Sequence, residues 1–158
     1  MIEKIDKFNV YLAFDGSFSS HIVCFACDKN SYTYNPTYID NTFLNLAEGV
    51  LAMSQGGYYY ESYLVDEPGE VFFSFHKNGE NIRMVFVSDC EDGNETGEVK
   101  LDFFVEVNKN LFLNSFLKSL KELEKSFDSQ DYAQYEQSVG HKFPYEQIKQ
   151  IESNIDIL

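Results

Sequence analysis

The chain has 158 residues, a length that suits one domain spanning 1–158. Twelve Lys and Arg stand against 26 Asp and Glu, a formal charge of −14. A like-charged field repels phosphates, which argues against nucleic-acid and anionic-membrane partners and permits a basic protein partner. Hydrophobic residues make up 44% of the chain and aromatic ones 16%, enough apolar mass to fill a core and to exclude general disorder.

At the N-terminus, Lys4 and Lys7 alternate with Glu3 and Asp6, and the apolar stretch breaks at Asn9. That is not the basic start, apolar run and small-residue site of a signal peptide. No apolar stretch approaches the roughly 20 residues of a membrane span. The expectation is a soluble, cytoplasmic protein.

Phe8, Val10, Leu12 and Phe14 alternate with Asn9, Tyr11 and Ala13, the period of a strand. Asp15-Gly16 signals a turn, and residues 18–27 resume as a strand, giving a first hairpin. Residues 30–38, with Tyr32, Tyr34, Pro36 and Tyr38, read as an extended loop. The period then changes: Phe43, Ala47, Val50 and Leu51 share one face of a helix over 41–54. Asp40, Asn41 or Thr42 can cap its start, and Gly56-Gly57 ends it.

Four strands follow at 58–65, 70–77, 81–88 and 98–107, separated by turn signals at Asp66-Glu67-Pro68-Gly69 and Asn78-Gly79. In the last strand Val99, Leu101, Phe103, Val105 and Val107 are expected to face the core. Leu113, Phe116, Leu117, Leu120, Leu123 and Phe127 mark a helix over 110–127. A polar helix over 129–139 and a short one begun by Pro144 complete the chain. The order β-β-α-β-β-β-β-α-α predicts an α+β fold: a single antiparallel sheet of about six strands with helices packed on one face. The other face would then mix aromatics and charges, among them Tyr59, Glu61, Tyr63, Phe72, Ser74, His76, Arg83, Val85, Lys100, Asp102, Phe104 and Glu106.

No catalytic motif appears: no GxSxG, Walker loop, HExxH or GxGxxG after a strand. His21, His76 and His141 have no acid or cysteine at a recognised spacing. Cys24 and Cys27 form a CxxC, but residues three apart on a strand point to opposite faces, and no second ligand pair completes a zinc site. The run Asp89-Cys90-Glu91-Asp92-Gly93-Asn94-Glu95-Thr96-Gly97-Glu98 has its glycine at position 5 rather than 6, and strands rather than helices flank it, so it is not an EF-hand loop. No metal, cofactor or catalytic residue is expected. The acidic run is either a solvated loop between two strands or a docking surface for a basic protein.

From Asn41 to Val87 the chain resembles immunity proteins of bacterial contact-dependent and other polymorphic toxin systems. The resemblance is carried by a helix (NTFLNLAEGVLAMSQGG), an aromatic strand, the DEPG turn at 66–69 and a hairpin (EVFFSFHKNGENIRMVFV). It implies a cytoplasmic inhibitor, not an enzyme, that binds a cognate toxin domain and blocks its active site or substrate groove. Many such toxins are nucleases with basic clefts, which an acidic protein suits. Independently of the resemblance, the expected contacts are Asp66, Glu67 and Glu70 around one turn and Asp89, Glu91, Asp92, Glu95 and Glu98 in the acidic run. Tyr59 and Tyr63 are the expected aromatic anchors. The alternatives are an acidic mimic of nucleic acid that inhibits a host defence enzyme, an enzyme without a recognised motif, and a scaffold domain.

Overall fold

A computed structural model describes residues 3–15, 20–36, 41–66, 69–91 and 94–157. In chain order these form β1 (Glu3–Ile5), β2 (Phe8–Asp15), β3 (Ser20–Cys27), β4 (Ser31–Tyr34), α1 (Thr42–Ser54), β5 (Tyr59–Asp66), β6 (Gly69–Asn78), β7 (Asn81–Glu91), β8 (Asn94–Asn108), α2 (Lys109–Ser126), α3 (Ser129–Val139) and α4 (Tyr145–Ile157). The fold is α+β. Its strands, however, divide into two sheets instead of one: a five-stranded sheet ordered β1-β8-β7-β6-β5 and a three-stranded sheet ordered β2-β3-β4.

The hairpin β2–β3 recruits β4 from the tyrosine-rich stretch expected to be a loop, with Tyr34 opposite Val23 and Tyr32 opposite Phe25. The larger sheet is mixed as well, because β1 runs parallel to β8, Glu3 facing Val105 and Ile5 facing Val107.

The small sheet, α1 and α2 share the task of covering the inner face of the large sheet. Phe25 on β3 meets Phe86 on β7 edge-on with ring centroids 5.1 Å apart, and Tyr34 stacks on the same ring at 5.4 Å. Phe112 and Phe116 of α2 reach Phe75 of β6 at 5.0 and 5.9 Å. Edge-to-face and offset ring pairs of this kind favour one arrangement beyond the area they bury. The helical readings hold closely. The α2 stripe buries Leu113, Phe116, Leu120 and Leu123. Asn41 caps α1, its side chain accepting from the Leu44 amide. Behind them, Tyr135 of α3 is buried among Phe14, Phe43, Phe127 and Phe143.

Two features of β7–β8 depart from the alternation. The ladder slips between Phe86 and Val87, so Phe86 faces Phe103 while Val87 faces Leu101, leaving Asp102 as an extra residue. A bulge of this sort reverses the facing of everything beyond it. Phe103, Val105 and Val107 are buried as expected, but Val99 and Leu101 are 65% and 57% exposed. Asp102 in turn accepts hydrogen bonds from Tyr34 Oη at 3.1 Å and Ser88 Oγ at 2.9 Å, on the covered side, not the open one.

The acidic run is also strand over most of its length. β7 extends to Glu91 and β8 begins at Asn94, with Cys90 opposite Glu95 and Glu91 opposite Asn94. Between β6 and β7 the two-residue turn is Gly79-Glu80, one place later than the Asn-Gly reading, and Gly79 takes the positive φ of 61° it requires.

Candidate binding face

Alternation along β5–β8 sends every second side chain to the side of the large sheet away from the helices. Among the described residues no helix or strand packs on that side. Cross-strand register arranges it in rows.

The first row crosses all five strands: Tyr59 faces His76, His76 faces Arg83, Arg83 faces Glu106, and Glu106 faces Lys4. Its centre is Glu106, whose side chain is 3% exposed. Asn78 Nδ2 donates to Glu106 Oε1 at 2.5 Å, Arg83 Nε lies 3.3 Å from the same oxygen, and Lys4 Nζ lies 3.8 Å from Oε2. The Asn78 hydrogen bond, with those cations, holds the carboxyl below its ordinary value even though burial opposes this. Burial and the Arg83 charge lower the His76 pKa, with Glu61 opposing. The His76 ring meets Tyr59 edge-on at 4.7 Å, and its Nε2 is 2.8 Å from Ser74 Oγ. Among the described residues no carboxylate hydrogen-bonds the other ring nitrogen, so the contact lacks the orienting acid of a hydrolase triad.

The second row is Glu61, Ser74, Val85 and Phe104. Tyr59 Oη donates to Glu61 Oε2 at 2.5 Å, which raises the pKa of that phenol. The third row is Tyr63, Phe72, Val87 and Leu101. Tyr63, Phe72 and Leu101 are exposed large hydrophobics, as is Tyr59. Between these rows lies an open groove of about 510 Å³, lined by residues that include Tyr59, Glu61, Tyr63, Phe72, Ser74 and Val87.

Past the third row the face becomes acidic. The turns after β5 and after β7 leave the same end of the sheet, because the Gly79-Glu80 turn between them sits at the other end. Glu70 donates its amide to Asp89 Oδ1 at 2.9 Å, and Glu98 is exposed on β8. Asp66 faces Gly69 at the close of the β5–β6 hairpin. Glu67 and Asp92, and the side chains of Asp66, Glu91 and Glu95, lie outside the described residues.

Tyr59 and Tyr63 thus share one groove, and Glu70 and Asp89 share one sheet end. Phe72 belongs beside them, and its outward phase on β6 marked it. Val87 follows the alternation of Arg83 and Val85 on β7, whereas Leu101 joins only because of the bulge at Asp102, which no spacing signals. Elsewhere, Cys24 faces Tyr11 and Thr33 whereas Cys27 faces Phe8, on the opposite side of the strand, and the two are not joined in a disulfide. His21 is buried against Phe43 and Tyr135. No group of three or more His, Cys, Asp or Glu among the described residues is placed to hold a metal, and no described helix is long and apolar enough to cross a membrane. No family model, curated protein or solved structure matches the chain.

Proposed function

We propose that the protein is an immunity-type inhibitor that binds a basic toxin domain with the open face of its five-stranded sheet and covers the toxin's active site or substrate groove. The observation that carries this reading is the juxtaposition of an aromatic and aliphatic row, exposed Tyr63, Phe72 and Leu101 with half-buried Val87, and an acidic sheet end. An exposed apolar patch rimmed by polar residues is the mark of a docking surface. Carboxylates beside it would steer a basic partner and raise the association rate, while the aromatic row, once dried, would slow dissociation. The stretch that resembles immunity proteins, 41–87, supplies α1 and β5–β7, and with them three of the four residues in that row. In this reading the protein acts in the cytoplasm of the bacterium the toxin enters and has no catalytic role. The third row of the face is apolar throughout, which fits a shaped protein surface better than a ladder of carboxylates mimicking phosphates.

The test is co-expression with the protein that the neighbouring gene encodes, scored by growth and by co-elution of the two proteins. The wild type is expected to restore growth and form a salt-sensitive complex. Tyr63→Asp with Phe72→Asp is expected to abolish both, while circular dichroism stays unchanged. Absence of binding by the folded wild type would overturn the reading, and full protection by the double variant would remove this face from it.

A further inference from the structure

Glu106 and Glu61 both point to the open face, one row apart, yet their surroundings are opposite. Glu106 is buried and carries Arg83 and Lys4 as ion-pair partners. Glu61 is exposed, and among the described residues no cation of this chain pairs with it. One of its oxygens is fixed by the Tyr59 hydroxyl, which holds the carboxylate in place without neutralising it. A carboxylate offers about four lone-pair sites, so acceptor capacity remains. Around it the groove is walled by the rings of Tyr63 and Phe72, whose centroids are 6.5 Å apart and whose planes are inclined by 49°. A fixed carboxylate between aromatic rings, with no cation of its own, is complementary to a cation that is also flat.

We propose that this groove is the anchor site for one arginine side chain of the partner, its guanidinium bonded to Glu61 and stacked on Tyr63 and Phe72. The inference rests on the inhibitor reading and names the chemistry at its centre. Arginine fits better than lysine for a geometric reason. Its planar fork pairs with a carboxylate through two parallel N–H bonds while its faces remain free to stack, whereas an ammonium is a strongly hydrated point charge.

The experiment uses the full chain and a capped Gly-Arg-Gly peptide, followed by amide chemical shifts, with Gly-Lys-Gly and Gly-norleucine-Gly as comparisons. Saturable shifts are expected at Glu61, Tyr63, Phe72 and Ser74. The lysine peptide is expected to bind about threefold more weakly and the norleucine peptide not at all. Glu61→Gln is expected to weaken the arginine peptide about fivefold or more, and Glu122→Gln, on the exposed side of α2, to leave it unchanged. Spectra that superimpose away from residue 61 establish that the Gln variant is folded. Shifts that fail to saturate, equal binding to wild type and Glu61→Gln, or equal affinity for arginine and lysine would each overturn the assignment. Because the probe is a peptide, a negative result removes the arginine anchor and leaves toxin inhibition standing. A toxin domain that fails to bind has the reverse effect.

Discussion

Glu70 donates its backbone N–H to the Asp89 carboxylate across 2.9 Å, which ties the strand leaving one acidic turn to the strand entering the other. The two acidic stretches are 19 residues apart in the chain and become one surface through this contact and the ladder around it. Removing the acceptor with Asp89→Ala should free the Glu70 amide. Since the bond is exposed, its loss is worth about 0.5–1 kcal/mol, or roughly two- to fivefold faster exchange of that one amide. Hydrogen exchange measured residue by residue checks this. Unchanged exchange at Glu70 would show that the ladder alone holds the two strands together.

Arg83 and Glu106 should respond unequally to substitution, because only one of them can return to water. Arg83 is 38% exposed and Glu106 3%. Glu106→Gln leaves Arg83 and Lys4 free to hydrate and is expected to cost about 1–2 kcal/mol. Arg83→Met strands a buried carboxylate without its nearer cation and is expected to cost more, about 3 kcal/mol. Urea unfolding of both variants tests the order. The pH dependence has a definite sign. Glu106 has a lowered pKa, so the folded state binds fewer protons than the unfolded one, and stability fully present above the ordinary carboxylate value of 4.5 is lost as pH falls from there through the lowered folded-state value. His76, also lowered, adds to the loss as pH falls below 6.5. Glu106→Gln should therefore flatten the acid limb of the stability profile.

Leu101 and Phe103 differ by two positions on one strand, and alternation alone makes them equivalent. The bulge at Asp102 separates them: Phe103 stacks on Phe86 at 4.8 Å and on Tyr32 at 4.4 Å, whereas Leu101 lies open beside Val87. Leu101→Ser should change stability by no more than about 0.5 kcal/mol. Phe103→Ala should cost about 3–5 kcal/mol. In the proposed complex the order reverses in effect on binding, with Leu101→Ser slowing association little and speeding dissociation. Equal destabilisation by the two variants would place Leu101 in the core.

These residues also mark how far pattern reaches. The helices were legible because a 3.6-residue stripe such as Leu113, Phe116, Leu120 and Leu123 is a property of one segment alone. The hairpins were legible because Gly79 and the DEPG turn carry their own backbone requirements. Division into two sheets was not, since alternation in β2 and β3 reveals which side is apolar but not which strand lies alongside. Three-residue β1 is too short to show a period, and β4 was hidden in a tyrosine-rich stretch whose Tyr34 is buried by contact with another sheet. For the site, Tyr59, Tyr63 and Phe72 precede any irregularity, so their phase was correct. Leu101 lies across the Asp102 bulge from Phe103, and its phase was not.

Gly49 sets the distance between α1 and the sheet, and with it the position of the strand that carries Tyr63. A Cβ at residue 49 would lie 2.7 Å from Phe75 Cε2 and 2.8 Å from Tyr60 Cδ1, closer than carbon atoms approach. Phe75 cannot retreat easily, since it is fully buried and packs edge-on against Phe112 at 5.0 Å. Alanine would gain about 1 kcal/mol of helix propensity. Overpacking costs about 1–3 kcal/mol, so Gly49→Ala is expected to be net destabilising. A lower urea midpoint with an unchanged slope is the expected result. The helix would have to move outward, and Asn45 on that helix donates its side chain to the Tyr63 carbonyl at 3.0 Å. A shift of α1 should therefore reach the groove and displace the amide resonances of Leu64 and Tyr63. A stable Gly49→Ala variant with those resonances unmoved would show that α1 does not position the binding face.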